Sequence, residues 1–362
     1  MKMTFRWYGE GNDQVTLQHV KQIPGVEGIV WSLHDMPAGE VWEESRIAKE
    51  KAIIEDAGFH IDVVESVNVH EDIKLGLPTR DQYIENYKET LRRLAKAGVK
   101  VVCYNFMPVF DWTRTDLYKK LDDGSNALFF EKSQIENLDP LVLIEKISKG
   151  VDVTMPGWEP ERLANLKETF RRYDGFTAEQ LWQNLQYFLE QVIPVCEECD
   201  IKMGIHPDDP AFPIFGLPRI IINKENIGRF LQLVDSPYNG LSLCSGSLGS
   251  ANNDIPDIID TYHNRIHFMH VRNVKRFENG DFIETSHRAC DGSVDTVKVI
   301  QTLFKHNFTG YIRPDHGRHI WGEEKWARPG YGLYDRALGI MYLLGVWDSM
   351  VADKVAGDSD IK

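Results

Sequence analysis

The sequence predicts a closed (β/α)8 TIM barrel. Three observations carry that prediction: β-branched or aromatic runs alternate with amphipathic helical stretches, the alternation occurs eight times, and no glycine-rich dinucleotide loop follows the first run. Repeated strand–helix alternation implies a parallel sheet, and eight units is the number that closes one on itself. The missing glycine loop argues against a doubly wound open sheet. A chain of 362 residues suits one such barrel with insertions, expected to occupy 1–350 and to be followed by a polar, frayed tail at 351–362.

In chain order the strand-like runs are Met3–Tyr8, Gly28–Ser32, His60–Glu65, Lys100–Asn105, Lys202–His206, Leu241–Cys244, Ile266–His270 and Tyr311–Asp315. Helical patterns between them include Glu43–Ala57, Arg80–Ala97, Ala178–Cys199, Ile227–Val234, Val294–His306 and Asp335–Leu344. In Arg80–Ala97, Tyr83, Tyr87, Leu91 and Leu94 recur at steps of three and four and form one apolar stripe. Gly98 then stops the helix. From Pro108 to about Gly175 the rhythm breaks, with no strand signal but many aromatics, charges and prolines, including Met155-Pro156-Gly157-Trp158-Glu159-Pro160. This insertion after the fourth strand is read either as a lid or as a decorative or oligomer-forming subdomain. A smaller insertion, Val274–Glu284, carries Glu278-Asn279-Gly280-Asp281 and predicts a hairpin after strand seven.

Composition excludes several function classes. The net charge of -14, from 41 basic and 55 acidic residues, argues against nucleic acid as a partner, which would need a basic stripe. It leaves a small anionic substrate open, because a few arginines in a cleft suffice to hold a carboxylate. No apolar run of about 18 residues predicts a membrane span. The opening residues lack a secretory pattern, so a cytoplasmic location is expected. Five cysteines, Cys103, Cys196, Cys199, Cys244 and Cys290, do not form a disulfide framework by number or spacing. Cys196 and Cys199 make a CxxC at a helix end with no second pair, and buried structural thiols are the simpler reading.

The chemistry gathers at the ends of the last four barrel strands. Strand five ends in His206, strand six in Cys244, strand seven in His270 and strand eight in Asp315. C-terminal strand ends surround one mouth of such a barrel, and adjacent strands are just under 5 Å apart, so the four side chains could converge on one ion. Two imidazoles, a thiolate and a carboxylate suit a divalent transition metal rather than magnesium or calcium. Zinc is permitted, and manganese or ferrous iron becomes plausible if water or substrate completes a larger shell. Any one of these residues alone is more readily structural; four on consecutive strands at one end favour a site. His267 is expected to be structural.

The segments Gly204-Ile205-His206-Pro207-Asp208-Asp209-Pro210, Leu243-Cys244-Ser245-Gly246-Ser247, His270-Val271-Arg272-Asn273 and Arg313-Pro314-Asp315-His316-Gly317-Arg318, with the opening Phe5-Arg6-Trp7-Tyr8-Gly9, resemble the bacterial mannonate dehydratase family. The resemblance runs from the first strand to the last helix. It implies a xylose-isomerase-like barrel, a manganese or ferrous ion on His206, Cys244, His270 and Asp315, and dehydration of D-mannonate to 2-dehydro-3-deoxy-D-gluconate in hexuronate breakdown.

Dehydrating an aldonic acid removes the C2 proton and expels the C3 hydroxyl. Loss of that proton builds an enediolate dianion, which a metal chelated by the carboxylate and 2-hydroxyl would neutralise. His316 is the preferred proton-transfer residue and Tyr331 the second candidate, with the acid and base roles open between them. Asp315 could join the relay, although a metal-bound carboxylate is a poor base. Arg313 and Arg318 could fork onto the substrate carboxylate. Asn105 and His70 could bind hydroxyls, Trp7 and Tyr8 could pack on the carbon chain, and Arg272 and Asn273 are further substrate-binding candidates; each has a structural role as its alternative. Asp208 and Asp209 could orient His206 or simply cap a turn.

Three rivals stand beside this reading. A sugar isomerase or epimerase on the same barrel would be expected to show a carboxylate-rich ligand set, where this chain has Cys244. A metal-dependent endonuclease is opposed by the charge. A sugar-acid-binding protein with a structural metal would show a closed tetrahedral site. The apolar helix Leu338–Trp347 is either core or a homodimer face.

Overall fold

A computed structural model describes residues 1–137, 142 and 166–359. Eight parallel strands close into a barrel: β1 (Lys2–Arg6), β2 (Val26–Trp31), β3 (His60–Glu65), β4 (Val101–Tyr104), β7 (Lys202–Ile205), β8 (Asn239–Cys244), β9 (Ile266–His270) and β12 (Tyr311–Arg313). The remaining four strands are β5 (Asp116–Lys120), β6 (Asn126–Phe130), β10 (Val274–Arg276) and β11 (Phe282–Glu284). Around the ring the order is β1, β12, β9, β8, β7, β4, β3, β2. All eight predicted runs are barrel strands. They are apolar on both faces because helices cover the outside and side chains fill the inside, as parallel sheets require. Val30, Val63, Val101, Cys103 and Phe268 form a compact buried cluster separate from the large core. Phe268 precedes His270 by two and shares its face.

The helices follow their patterns. Arg80–Ala97 buries Ile84, Tyr87, Leu91 and Leu94 and ends on Gly98 at φ 104, a left-handed cap that glycine adopts without strain. Ala178–Cys199 starts with a capping box between Thr177 and Gln180. It buries Cys196, and burial pushes that thiol well up, in keeping with an inert structural role. The last helix, Tyr334–Ser359, is longer than the expected Asp335–Leu344 and runs on into the segment read as a frayed tail, as far as Ser359. Val351–Ala356 contains neither glycine nor proline, so nothing there stops propagation from the packed turns before it.

The insertion after β4 departs from its expectation. Instead of lacking strands, it contributes the β5–β6 hairpin, which pairs with the predicted hairpin β10–β11 in a four-stranded antiparallel sheet ordered β10, β11, β6, β5. Strand β5, Asp-Leu-Tyr-Lys-Lys, has little apolar pattern of its own; β6, buried throughout, supplies the pairing surface. The turn between β10 and β11 closes as expected, with Phe277 N–H donating to the Asp281 carbonyl and Gly280 N–H to that of Phe277. Met155 to Pro160, the centre of the possible lid, lies outside the described residues.

Candidate active site

Strand register brings the metal-capable residues level with one another. Cys244 on β8 is the register partner of His270 on β9, and His270 is in turn the partner of Arg313 on β12. His206 follows β7 directly, its N–H donating to the Tyr104 carbonyl at 2.7 Å. Ligand atoms of His206, Cys244 and His270 all lie within 4.8 Å of one another. Asp315 stands beside this trio: its Oδ2 is 3.5 Å from Cys244 Sγ and 3.9 Å from His270 Nδ1. Its backbone is left-handed at φ 61, an uncommon conformation for a residue with a Cβ.

The donor chemistry fits a cation. His206 Nδ1–H donates to the Pro207 carbonyl at 2.7 Å, leaving the Nε2 lone pair to face a ligand. Burial works against protonation of His206, but Cys244, with Glu65 and Asp315, outweighs it and pushes the imidazole up to about 9, so that a bound cation would displace a proton from Nε2. His270 is fully buried, and neither ring nitrogen has a hydrogen-bond partner. Burial, with Arg313 nearby, holds it well below the usual histidine range. A neutral, buried imidazole with unsatisfied nitrogens is the form that coordinates a metal.

A buried ionic network supports Asp315. Arg272 Nε donates to its Oδ2 at 2.6 Å, and an Arg313 terminal nitrogen lies 2.8 Å from its Oδ1. Burial alone would raise this carboxyl, but Arg313, His316, His270 and Arg272 hold it well below the ordinary carboxylate range. Arg272 also reaches both Glu284 oxygens at 2.8 and 2.9 Å and Asp209 at 2.6 Å, and Arg114 bridges Asp209 and Glu284 at 2.7 Å each. Glu284 ends β11 and Arg114 precedes β5, so the four-stranded sheet delivers two of the charges that brace the site.

A cavity of about 700 Å³, counting its open mouth, lies against these groups. Of the expected residues, His206, Asp315, His316, Tyr331, Arg313, Asn105 and Tyr8 line it. His316 is buried, its Nδ1 has no hydrogen-bond partner, and burial pulls it down to about 4. The Tyr331 ring meets it edge-on at 5.5 Å, and burial pushes that phenol well above its usual range. Asn105 accepts from Met107 N–H, leaving its amide donors for the cavity.

The structure places the other candidates elsewhere. His70 caps the helix Glu71–Leu75 and stacks on Tyr83, so its ring is used locally. Trp7 is core, with its indole N–H on the Val15 carbonyl. Arg272 is locked in the ionic network, and Asn273 ties the backbone of Arg288 and Val294. Arg318 pairs with Asp335 and Asp123 outside this cavity. Asp208 accepts from the N–H groups of Ile220 and Ile221, which makes it a loop-holding residue.

Sequence reasoning passed over Glu65, Arg6 and His34, all of which line the cavity. Glu65 ends β3, contacts Arg313 at 2.8 Å and lies 3.6 Å from His270 Nε2. The strand-end rule applied to the last four strands would have found it had it been applied to the third. Arg6 was visible as a charged residue inside an apolar strand, two before Tyr8.

The D-mannonate dehydratase (UxuA) family profile matches residues 1–356. The chain belongs to the mannonate dehydratase family. Mannonate dehydratase 1 of Halalkalibacterium halodurans is 64% identical over 351 residues, covering 97% of each chain. The crystal structure of mannonate dehydratase from Streptococcus suis superposes with a TM-score of 0.87 at 46% identity, over 96% of this chain and 94% of that one. A 3-keto-D-glucoside 4-epimerase from E. coli shares the fold, with a TM-score of 0.55 at 11% identity over 95% and 99% of the two chains.

Proposed function

We propose that this cavity dehydrates D-mannonate to 2-dehydro-3-deoxy-D-gluconate with one manganese or ferrous ion, held by His206, Cys244 and His270 and completed by Asp315. Family membership makes the chain a hydro-lyase. The observation that carries the reading is the convergence of the three donors, with His270 unsatisfied, beside a cavity lined by His206, His316 and Tyr331.

A C2 proton beside a carboxylate is weakly acidic, and its loss places a second negative charge on the substrate. A divalent ion supplies Lewis-acid neutralisation of that charge when bound. Burial keeps the His316 imidazole neutral near pH 7, which suits it to accept the C2 proton. Tyr331 retains its phenolic proton and suits the acid role at the departing 3-hydroxyl. Neighbouring groups whose environments drive their proton affinities apart make a workable acid–base pair. Trp112, whose ring centroid is 6.0 Å from that of His316, walls the cavity on the side of the insertion and limits access of water.

No helix among the described residues is long and apolar enough to cross a membrane, and a cytoplasmic location is part of the proposal. So is a homodimer, supported by the half-exposed Leu338 and Met341 on a helix that buries Ile340 and Leu343. Purified protein given manganese should form a 2-keto-3-deoxy acid from D-mannonate and little from D-gluconate. No product from either, with metal confirmed bound, would overturn the assignment.

A further inference from the structure

Across the barrel from His206 lies an arginine that, among the described residues, has no carboxylate beside it. Arg6 ends β1, four places around the ring from β7, is 4% exposed, and lines the cavity. One terminal nitrogen donates to the carbonyls of Trp7 and Val30 at 3.2 and 3.1 Å, and the other faces His34 Nε2 at 3.2 Å. A guanidinium has five N–H donors, so two remain. Among the described residues no carboxylate oxygen comes within 4.0 Å of it. The other arginine lining the cavity, Arg313, has Glu65 and Asp315 at 2.8 Å each.

A desolvated cation without a partner is unfavourable, and such a group persists where a ligand completes it. We propose that Arg6, with His34 beside it, binds the carboxylate of the sugar acid. His34 is held well below the usual histidine range by burial, with Arg6 and Arg328 adding to the effect. It is therefore neutral, accepts from Arg6 through Nε2, and keeps Nδ1–H as a donor for a second carboxylate oxygen.

This placement rests on the dehydratase reading and sharpens it. The Arg6 guanidinium lies 4.6 Å from the centre of the Tyr8 ring, which lies 5.0 Å from that of Tyr331, which lies 5.5 Å from that of His316. A carboxylate seated on Arg6 starts a short row that ends at the proton-transfer pair. The carbon chain beyond the carboxylate then runs towards Tyr331 and His316, and the charge of the carboxylate is shared with a residue outside the donor cluster. The same subsite explains selection of an acid over the corresponding neutral sugar.

Arg6→Gln, which removes the charge and leaves a shorter polar side chain, tests the proposal in metal-replete protein of measured metal content. KM for D-mannonate should rise about 10- to 100-fold, the range of a lost charge-assisted hydrogen bond. The inhibition constant of the uncharged D-mannonamide should change less than about 3-fold, and metal content should not change. Arg6→Lys, which restores charge without the fork, should fall between the two and serves if the glutamine variant does not fold. An unchanged KM overturns the proposal, as does an equal loss for acid and amide. If the wild-type protein forms no keto acid, the dehydratase reading has failed separately. Calorimetric binding of D-mannonate and D-mannonamide to the wild-type and Arg6→Gln proteins still decides the role of Arg6.

Discussion

Arg272→Met removes the guanidinium at the centre of the buried network while leaving a side chain of similar length. Arg272 contacts Asp315 at 2.6 Å, Glu284 at 2.8 and 2.9 Å and Asp209 at 2.6 Å, and every partner is at most 4% exposed. None of the three would be left wholly without a partner. Arg114 still lies 2.7 Å from both Asp209 and Glu284, and Arg313 still lies 2.8 Å from Asp315. Yet Asp209, Glu284, Asp315 and Glu65 would face two arginines in place of three. Removing one partner of a buried pair costs about 3–5 kcal/mol, and the surviving contacts place this case near the lower end, at about 3 kcal/mol. Equilibrium guanidinium unfolding, read through the nine tryptophans, measures it. Glu284→Gln cancels one of the uncompensated charges, so the double variant should be more stable than the sum of the single losses by about 1 kcal/mol or more. A loss within about 0.5 kcal/mol of zero for Arg272→Met, or an additive cycle, would refute the network's role.

Further outcomes follow from the same geometry. Cys244→Ser should lose metal affinity by at least the roughly 10- to 100-fold that outer-shell changes cause, measured by metal analysis after dialysis. His316→Asn should keep its metal and lose about 100- to 10,000-fold in kcat, the span of general acid–base catalysis; a fully active variant would refute the assignment. His267 faces the carbonyl oxygens of Met203 and Pro237 at 3.0 Å each, and burial pulls it down to about 3. Its folded value lies below the unfolded one, so the stability it contributes is present above about pH 6.5 and is lost as pH falls from there towards 3, by about 1.4 kcal/mol per unit. Unfolding of the wild-type and His267→Gln proteins between pH 7.5 and 5 should show the wild type losing stability faster; parallel curves would rule this out.

The barrel was legible in the sequence because strand and helix carry different periods, and His206 just after β7, with the last residues of β8 and β9, could be read as donors because barrel strands end at a common mouth. Arg80–Ala97 and Ala178–Cys199 matched their expected bounds, since an amphipathic stripe with a cap at its end is local information. What tertiary structure alone decided is pairing. Asp116–Lys120 became a strand because Asn126–Phe130 and the hairpin after β9 offered it a sheet, and backbone hydrogen bonding to a partner leaves little mark on the side chains. Arg272, Arg313 and Arg6 are alike on paper, each a charge near a strand end. Closure of the ring surrounds the first with carboxylates, gives the second two, and among the described residues leaves the third none, because Coulomb partners are chosen by distance in space and not by position along the chain.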